Sequence, residues 1–515
     1  MQSNQVLPDP SLFVFVQDRE KGRCGGVSAQ SSVGYFRDAW RRFCKNKSSL
    51  VALILLLLSA VFCMVAPLLS PYTLADKESV YPNKYPYLEA FENAGFWDGG
   101  RENEFTEDNY AYFAAIGEET GISPVIAVKK KYEKVQLVGG AEKRTTMYRL
   151  RIQTYKEVGV VNGLNLSKED FAALCRYQTQ TGRQVLYPLV DTTKLYGFDR
   201  GEGGGNYWYA VDQKGKPLRG EGGALQPLYL SIAEDSALRE QYAPYNSLRV
   251  AADDGTFVYG RANQSGYATR ICYYEYYRYL HGHFPRYAFG TNTYGQDIFC
   301  ALAKGAGFSL LLAVGVSALN LLIGLLYGAI EGYYGGAADL IMERIADVLS
   351  GIPFTVVVTL FGYHLAAKVG VVGSFLFAFL TTGWISTAAL TRKQFYRFKN
   401  REYVMAARTL GASNRRLIFK HVFPNSVGTV ITSAAMLIPG VIGLETTLTY
   451  LGIVNLSAAG ATSLGTLIEL GKSCLDSAPH VVLFPAVFLA LIMIAFNLLG
   501  NGLRDAFDPT QRFGK

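Results

Sequence analysis

The sequence predicts an α-helical integral membrane protein with six transmembrane helices and a large α+β extracytoplasmic insert between helices 1 and 2. The chain has 515 residues, of which 50% are hydrophobic, and these gather in long uncharged runs. Lys and Arg cluster beside some ends of the runs, and a segment of mixed composition separates the first run from the others. These features predict four parts: a basic N-terminus at 1–48, helix 1 at 49–70, the insert at 71–285 and a core with five helices at 286–511.

The apolar runs are the first of these observations. An uncharged helix of about 20 residues is long enough to cross ~30 Å of hydrocarbon. The first run is too long for the core of a signal peptide, and no clear cleavage site follows it, so we interpret it as a retained anchor. The six candidate spans are 50–69, 308–327, 352–367, 369–390, 427–444 and 481–499. The third is marginal, because His364 interrupts it.

The placement of positive charge supports six spans. Basic residues precede the first run and follow the last, and residues 392–420 carry nine Lys/Arg against one acid, Glu402. Positive residues near span ends stay in the cytoplasm, so six spans put all three clusters on one side and both termini inside. Five spans would put the 392–420 cluster and the N-terminal cluster on opposite sides of the membrane. Positive-inside charge also explains the basic loop without nucleic acid, which a short loop between membrane helices is poorly placed to bind.

The insert has the composition of a folded domain. Its net charge is −2, which leaves +10 on the other residues, and it is rich in aromatic side chains. Long loops of this kind cross membranes largely regardless of charge. Alternation from Tyr148 to Tyr155 predicts a strand, and Ser167 with Asp170 predicts the start of a helix. Glycines at 201–205 and 220–223 predict loops. We expect an α+β domain packed on the outer face of the membrane part.

Other features of the insert carry little chemistry. His281 and His283 with Glu275 could build a metal site, but no further ligand pattern accompanies them, so we favour a structural role. Residues 253–255 resemble part of a calcium loop, yet lack the spaced oxygen ligands, and are interpreted as a turn. The tyrosines of 273–279 lie either at the membrane interface or beneath the insert. Cys175 and Cys272 either form a disulfide or remain free thiols.

The basic loop 392–424 has an ordered pattern that suggests a docking element. Residues from Glu402 to Leu410 are good helix formers, and Gly411 can end the helix in a left-handed conformation. Small Ala406 and Ala407 would allow a partner to approach closely, and Arg408 can reach a carboxylate on it. Ser413 or Asn414 can cap a second helix that ends at Pro424. The pattern is completed by Met405 and His421.

Two further motifs lie in the membrane half. Gly290, Thr291, Gly295 and Asp297 precede the second span and predict a tight, polar turn back into the bilayer. Glu445 comes directly after the fifth span, which ends with a glycine and a leucine. An ionisable residue at such depth is a candidate functional residue, and it either binds a substrate group or hydrogen-bonds inside the bundle.

With these motifs in order, the chain resembles the permease subunits of binding-protein-dependent ATP-driven (ABC) importers of the oligopeptide/dipeptide/nickel family, and more narrowly the C-type permease. The resemblance covers 35–72 and 286–511 and leaves out the insert. Two positions depart from the family pattern: Met405 replaces an acid at the start of the loop signature, and Gln296 replaces an arginine. The first argues against a salt bridge there, and neither changes the spacing.

The resemblance implies an importer permease-type bundle in the prokaryotic plasma (inner) membrane. Its partners would be a second homologous permease, two cytoplasmic ATPase subunits and an extracytoplasmic substrate-binding protein, in contact with membrane lipid. No Gly-x-x-x-x-Gly-Lys-Ser/Thr segment occurs in the chain, so ATP and Mg²⁺ would be bound by the ATPase subunits and no cofactor by this one. The 402–411 helix would then transmit ATPase closure to the membrane helices, which would alternate in access. Glu445 would line the pathway or pack within it.

Two other classes of membrane protein share some of these features. A membrane-anchored receptor or sensor could use 71–285 as its ligand domain, but no signalling domain follows the last span. A membrane-bound enzyme would need a catalytic constellation in the insert, and none stands out. The cargo is not named by the sequence: peptides, nickel chelates and other small solutes all fit. The insert could contact the binding protein or a matching insert on the partner permease.

Overall fold

The structure is a computed structural model and describes residues 35–92, 94–138, 141–189, 252, 254 and 256–507. The predicted loops at 201–205 and 220–223 lie outside the described residues, as do two of the three residues of the predicted turn at 253–255. In that turn Asp254 Oδ1 accepts hydrogen bonds from the backbone N–H and the hydroxyl of Thr256.

Within the described residues, five helical segments are long and apolar enough to cross a membrane. They are Lys47–Leu69, Ile298–Tyr334, Ala366–Lys399, Gly428–Tyr450 and His480–Phe507. The predicted third span, 352–367, is not one straight helix. Its helical part, Phe354–His364, has 11 residues, about 16 Å, and follows Gly336–Ser350 after a bend of 77°. Pro353 explains the break, because it lacks an N–H and restricts the residue before it. Counting the bent pair as one span gives six.

The helices are numbered α1 to α16 along the chain. Those before the insert are α1, Tyr35–Lys45, and α2, Lys47–Leu69. The insert contributes α3, Glu107–Thr120; α4, Lys168–Thr181; and α5, Tyr273–His281. The core contains α6, Ile298–Tyr334; α7, Gly336–Ser350; α8, Phe354–His364; α9, Ala366–Thr382; α10, Ile385–Lys399; α11, Glu402–Thr409; α12, Asn414–Arg416; α13, Phe423–Ala434; α14, Leu437–Tyr450; α15, Leu464–Gly471; and α16, His480–Phe507.

A glycine stripe on α6 sets the packing of the membrane core. Gly324, Gly328 and Gly332 recur every four residues and therefore share one face of the helix. A Cβ at any of the three would collide with α10, mainly with its backbone oxygens and with Thr387 and the Phe395 side chain. Small residues at this spacing let two membrane helices approach closely and gain van der Waals contact.

The described part of the insert contains two small antiparallel sheets. The strands β1, Gly100–Thr106; β2, Val125–Val138; and β3, Ala141–Gln153 form the first, in the order β1-β3-β2. The strands β4, Val160–Leu166; β5, Leu186–Tyr187; β6, Gly260–Ala262; and β7, Tyr267–Cys272 form the second, with β7 paired to all the others. The strand predicted from Tyr148 is confirmed as part of β3. The predicted cap is also confirmed, since Ser167 Oγ accepts from the Asp170 N–H at the start of α4.

A cluster of tyrosines joins the insert to the membrane part. Its buried tyrosines come from the segment after α2, from the turn after β3, from β5, from α5 and from the segment before α6: Tyr72, Tyr81, Tyr87, Tyr155, Tyr187, Tyr273, Tyr274, Tyr277 and Tyr287. Of the two positions open for the 273–279 tyrosines, burial beneath the insert therefore holds for Tyr273, Tyr274 and Tyr277. The two sheets are also joined, because buried Arg270 of β7 binds both carboxylate oxygens of Glu119 of α3, each at 2.7 Å.

The cysteines and histidines singled out in the insert form neither a disulfide nor a metal site. Cys175 and Cys272 are both free thiols, and burial raises the pKa of the Cys272 thiol to about 11. The rings of His281 and His283 lie 6.2 Å apart beside Tyr277, and His283 Nδ1 hydrogen-bonds the Phe284 carbonyl. Across the part of the chain that the structure describes, no group of three His, Cys, Asp or Glu residues is placed to hold a metal ion.

Candidate functional site

The loop 392–424 folds around the short helix α11, which is anchored on one side. Val404 is fully buried and packs in a cluster with Tyr333, Phe395 and Leu417. Ala407 is half-buried against the same cluster, whereas Ala406 is exposed. Only one of the two small residues therefore faces outward. Ala407 lets α11 approach its own chain, and the contact of both alanines with a partner stays a prediction.

The opposite side of α11 and its end expose apolar side chains. Tyr403, Met405 and Leu410 are 42%, 51% and 88% exposed. Glu402 and Arg408 are exposed beside them. Gly411 follows with a φ of +80°, as predicted, and its N–H donates to the Arg408 carbonyl. An anchored helix with a bare apolar rim is a surface suited to a groove on another protein.

The segment after Gly411 differs from the predicted capped helix. Ser413 is extended, but its side chain caps nothing. Asn414 instead accepts a hydrogen bond at 2.8 Å from the hydroxyl of Tyr333, which ties the segment to α6. Pro424 does not end a helix: it lies in the first turn of α13, directly after the π-helical stretch that ends at Val422. His421, half-buried in the π-helical stretch Leu417–Val422, accepts through its carbonyl from Asn425 Nδ2.

A basic cleft lies beside α11. It is open, with a volume of about 570 Å³, and is lined by Ser413, Arg415, Arg416, Phe419, Lys420 and Pro424. Positive charge with one exposed aromatic ring gives this side of the loop an affinity for acidic surfaces. The cleft and the exposed side chains of α11 belong to the same loop, 392–424.

An ion-pair cluster, which the sequence did not predict, fixes the helix that leads into the loop. Arg392 of α10 binds Asp339 at 2.6 Å and Glu343 at 2.7 Å, both on α7. The Glu331 carboxylate of α6 lies 3.5 Å away. Bidentate guanidinium–carboxylate pairs hold their geometry tightly. Arg392 therefore joins α6, α7 and α10. In the sequence, the only sign of this cluster was an arginine just after the apolar run 369–390.

The motif at 290–297 forms a clamp at the start of α6. Thr291 donates through its hydroxyl to the Tyr81 carbonyl and accepts from the Lys84 N–H at 2.8 Å. Gly290 and Gly295 have φ values of +79° and +72°, and each contacts the backbone of residues 78–84 so closely that a Cβ would overlap it. The four predicted residues are thus brought together, and they attach α6 to the segment that follows α2.

Asp297 is the N-cap of α6. Its carboxylate accepts from the N–H groups of Phe299 and Cys300 and from the hydroxyl of Ser70, at the end of α2. Gln296 donates through Nε2 to the Leu74 carbonyl. The neutral side-chain amide of Gln296 therefore also contacts the segment that follows α2.

Replacing Asp297 should change how stability depends on pH. Burial raises the pKa of its carboxyl to about 6, against about 4 in an unfolded chain. Its contribution is therefore fully present below about pH 4 and is lost as the pH rises through about 6. Asp297→Asn keeps an N-cap side chain that cannot ionise. Between pH 4 and pH 7, the natural protein should lose roughly 2–3 kcal/mol relative to the variant.

The measurement is the thermal unfolding midpoint of both proteins in the same detergent across this pH range. Asp254→Asn, at an exposed turn, serves as a control for the loss of a carboxylate. Parallel curves for the natural protein and Asp297→Asn would show that the buried carboxyl does not titrate in this interval.

Glu445 of α14 is 1% exposed and lies inside the bundle. Its carboxylate accepts from the hydroxyl of Ser309 of α6 at 3.0 Å and from that of Thr449 at 3.4 Å. The Ser309 hydroxyl in turn accepts from the Leu464 N–H at the start of α15. One network therefore joins α6, α14 and α15, and this geometry favours the packing role among the two alternatives.

The apolar spans, with α11 packed beneath them and α6 clamped at its start, define a multi-span integral membrane protein. Residues 320–513 match the family model for the binding-protein-dependent transport system inner membrane component. Residues 34–87 match that for the N-terminal TM domain of oligopeptide transport permease C.

Two relatives show how far the likeness extends. The oligopeptide transport system permease protein OppC of Bacillus subtilis is 40% identical over 224 residues, which cover 44% of this chain and 72% of the relative. The dipeptide transport system permease protein DppC of the same organism is 38% identical over 225 residues, or 44% and 69%. Among solved structures, the MetNI methionine ABC transporter overlays with a TM-score of 0.33 at 16% identity, over 40% of this chain and 96% of that one.

The chain therefore belongs to the C-type permeases of oligopeptide and dipeptide ABC importers. It is a multi-pass membrane protein and a transport subunit, in a family whose ATPase site is on a separate subunit. Neither family model extends over residues 88–319, so most of the insert lies outside the matched regions.

Proposed function

We propose that this chain forms the translocation pathway of an ATP-driven importer of oligopeptides or dipeptides, together with a second homologous permease. Two cytoplasmic ATPase subunits drive it, and an extracytoplasmic binding protein delivers the cargo. The peptide class is taken from the relatives, and family membership argues against the receptor and enzyme alternatives. The bent pair α7–α8 counts as one span, so that six spans leave both termini in the cytoplasm and the insert outside.

The observation that carries the coupling part of this proposal is the two-sided character of α11. Val404 fixes the helix to a core that includes Tyr333 of α6 and Phe395 of α10. Met405 and Leu410 are left exposed on a polar, basic loop. Exposed apolar residues in such a position are costly unless a partner covers them. Because α11 is fixed to two membrane helices, a movement imposed on it by the ATPase is transmitted to them.

Co-purification tests the assembly. The tagged chain, expressed with its neighbouring genes and extracted in mild detergent, should retain a second permease and an ATPase subunit. ATP hydrolysis by the purified complex should rise when binding protein and peptide are added. If the chain is recovered with neither subunit, the importer assignment is wrong for this protein.

Glu445 gives a separate test of the pathway. We propose that it acts by holding α6, α14 and α15 together rather than by binding a peptide amine. Glu445→Ala should lower the free energy of unfolding by about 1–3 kcal/mol, since Ser309 loses a buried partner. Glu445→Gln keeps an acceptor for the same hydroxyl and should retain both stability and peptide uptake. A stable Glu445→Gln variant that has lost uptake would instead show direct contact with the cargo.

A further inference from the structure

The loop between the start of the insert and β1 carries exposed aromatic rings. Phe96 and Trp97 are 54% and 39% exposed. Phe91 contacts Phe96 at a ring-centroid distance of 5.1 Å, and Phe96 contacts Trp97 at 6.1 Å. The three rings form one aromatic tip in a region that neither family model covers. Nothing in the coupling or transport roles proposed above uses them.

The tip is held in place rather than loose. Trp97 has a φ of +49°, which is uncommon for a residue with a side chain and marks a constrained position. Its indole N–H donates to the Ala288 carbonyl, so the polar end of the ring is satisfied while the apolar body is bare. Arg151 of β3 donates to the Gly95 carbonyl and to Asp98, in each case at 2.8 Å, and so fixes both sides of the tip.

The tip lies at the outer end of a membrane helix. A cleft of about 240 Å³ separates it from α16 and is lined by Phe96, Trp97, Arg151 and Phe484, among others. Next to Phe484, α16 exposes a stripe of apolar residues that runs down the helix at helical spacing: Leu483, Val487, Leu491 and Ile494. A stripe of this kind on a spanning helix faces lipid or another membrane helix. Leu483, the first residue of this stripe, directly precedes Phe484 of the cleft in the sequence.

Charged pairs border the tip. Arg286 binds Glu89 at 2.9 Å, and Lys156 binds Glu92 at 3.0 Å. Aromatic rings with a satisfied polar end, flanked by charged residues, are typical of the level where lipid headgroups meet the hydrocarbon. The arrangement matches that level on the outer side of α16.

We propose that Phe91, Phe96 and Trp97 form an interfacial anchor that places Phe96 and Trp97 in the outer leaflet beside α16, with phospholipid filling the cleft at Phe484. The inference rests on the proposed placement of the insert outside the cell. The exposed apolar stripe of α16, which begins beside the cleft at Leu483, favours lipid as the occupant. The anchor would keep the insert from tilting against the bundle, because it fixes the insert at a second point besides the tyrosine cluster.

Fluorescence quenching tests the anchor. The full-length chain and Trp97→Phe are each placed in nanodiscs of phosphatidylcholine brominated either near the headgroup end or near the methyl end of the acyl chain. The difference between their emissions reports Trp97. We expect this difference to lose most of its intensity with the shallow bromine, less with the deep one, and little with aqueous iodide.

A second reporter supplies the matched control. Val135→Trp in the Trp97→Phe protein puts an indole at an exposed site of β2, away from the junction with α16, and should be quenched by iodide alone. Quenching of Trp97 by iodide and not by bromine would overturn the anchor, even if the chain co-purifies with its ATPase. Trp97 that becomes shielded from both quenchers only when the second permease is bound would assign the tip to that partner and also overturn it.

Discussion

Gly295→Ala should prevent the chain from accumulating as a folded membrane protein. Gly295 has a φ of +72°, which costs an L-residue about 1–2 kcal/mol. A Cβ there would also overlap the carbonyl oxygen of Glu78, which is backbone and cannot rotate away. The clamp that attaches α6 to the segment after α2 would have to open. The measurement is the amount of monodisperse protein extracted from membranes and its unfolding midpoint.

Gly282→Ala separates the two causes in that prediction. Gly282 has nearly the same backbone conformation, with a φ of +75°, but open space around the position of a Cβ. This variant should fold, with a loss of stability limited to the conformational cost. If Gly295→Ala accumulates as well as Gly282→Ala, the close contact with Glu78 does not constrain the fold.

The second large effect is expected at the exposed side of α11, where we propose that the ATPase binds. Leu410→Asp should abolish peptide uptake and separate ATP hydrolysis from transport while the permease still inserts and folds. The side chain is 88% exposed, so its replacement removes no internal packing. A carboxylate at that site would enter a partner's apolar groove without a counter-charge, which is strongly unfavourable. Uptake into proteoliposomes and ATPase retention on a tagged chain give the two readouts.

The control for this substitution is Leu280→Asp. Leu280 is also exposed, at 51%, and lies on α5 of the insert, on the proposed outer side. It should leave uptake and ATPase retention unchanged. Equal activity of Leu410→Asp and the natural chain would show that the rim of α11 is not where the ATPase binds.

The insert illustrates where prediction from the sequence stopped. The strand at Tyr148 and the cap at Ser167 were predictable, because each depends on neighbours within a few residues. The location of the 273–279 tyrosines was not predictable, because a place at the membrane interface and a place buried beneath the insert both suit an amphipathic ring. Cys175 and Cys272 likewise gave no signal to separate a disulfide from two free thiols.

The membrane core shows the same division. Five of the six predicted spans and the basic character of the loop 392–424 follow from the hydropathy and charge of the sequence by itself, because crossing a bilayer imposes length and polarity on each segment separately. The bend between α7 and α8 in the predicted third span does not. Only the tertiary structure decided which side of α11 faces outward and that Ala407 packs inward. It also decided the position of Pro424 in the first turn of α13 and the ion pairs of Arg392. These depend on residues far apart in the chain that meet across helices, and no local pattern records which residue lies opposite which.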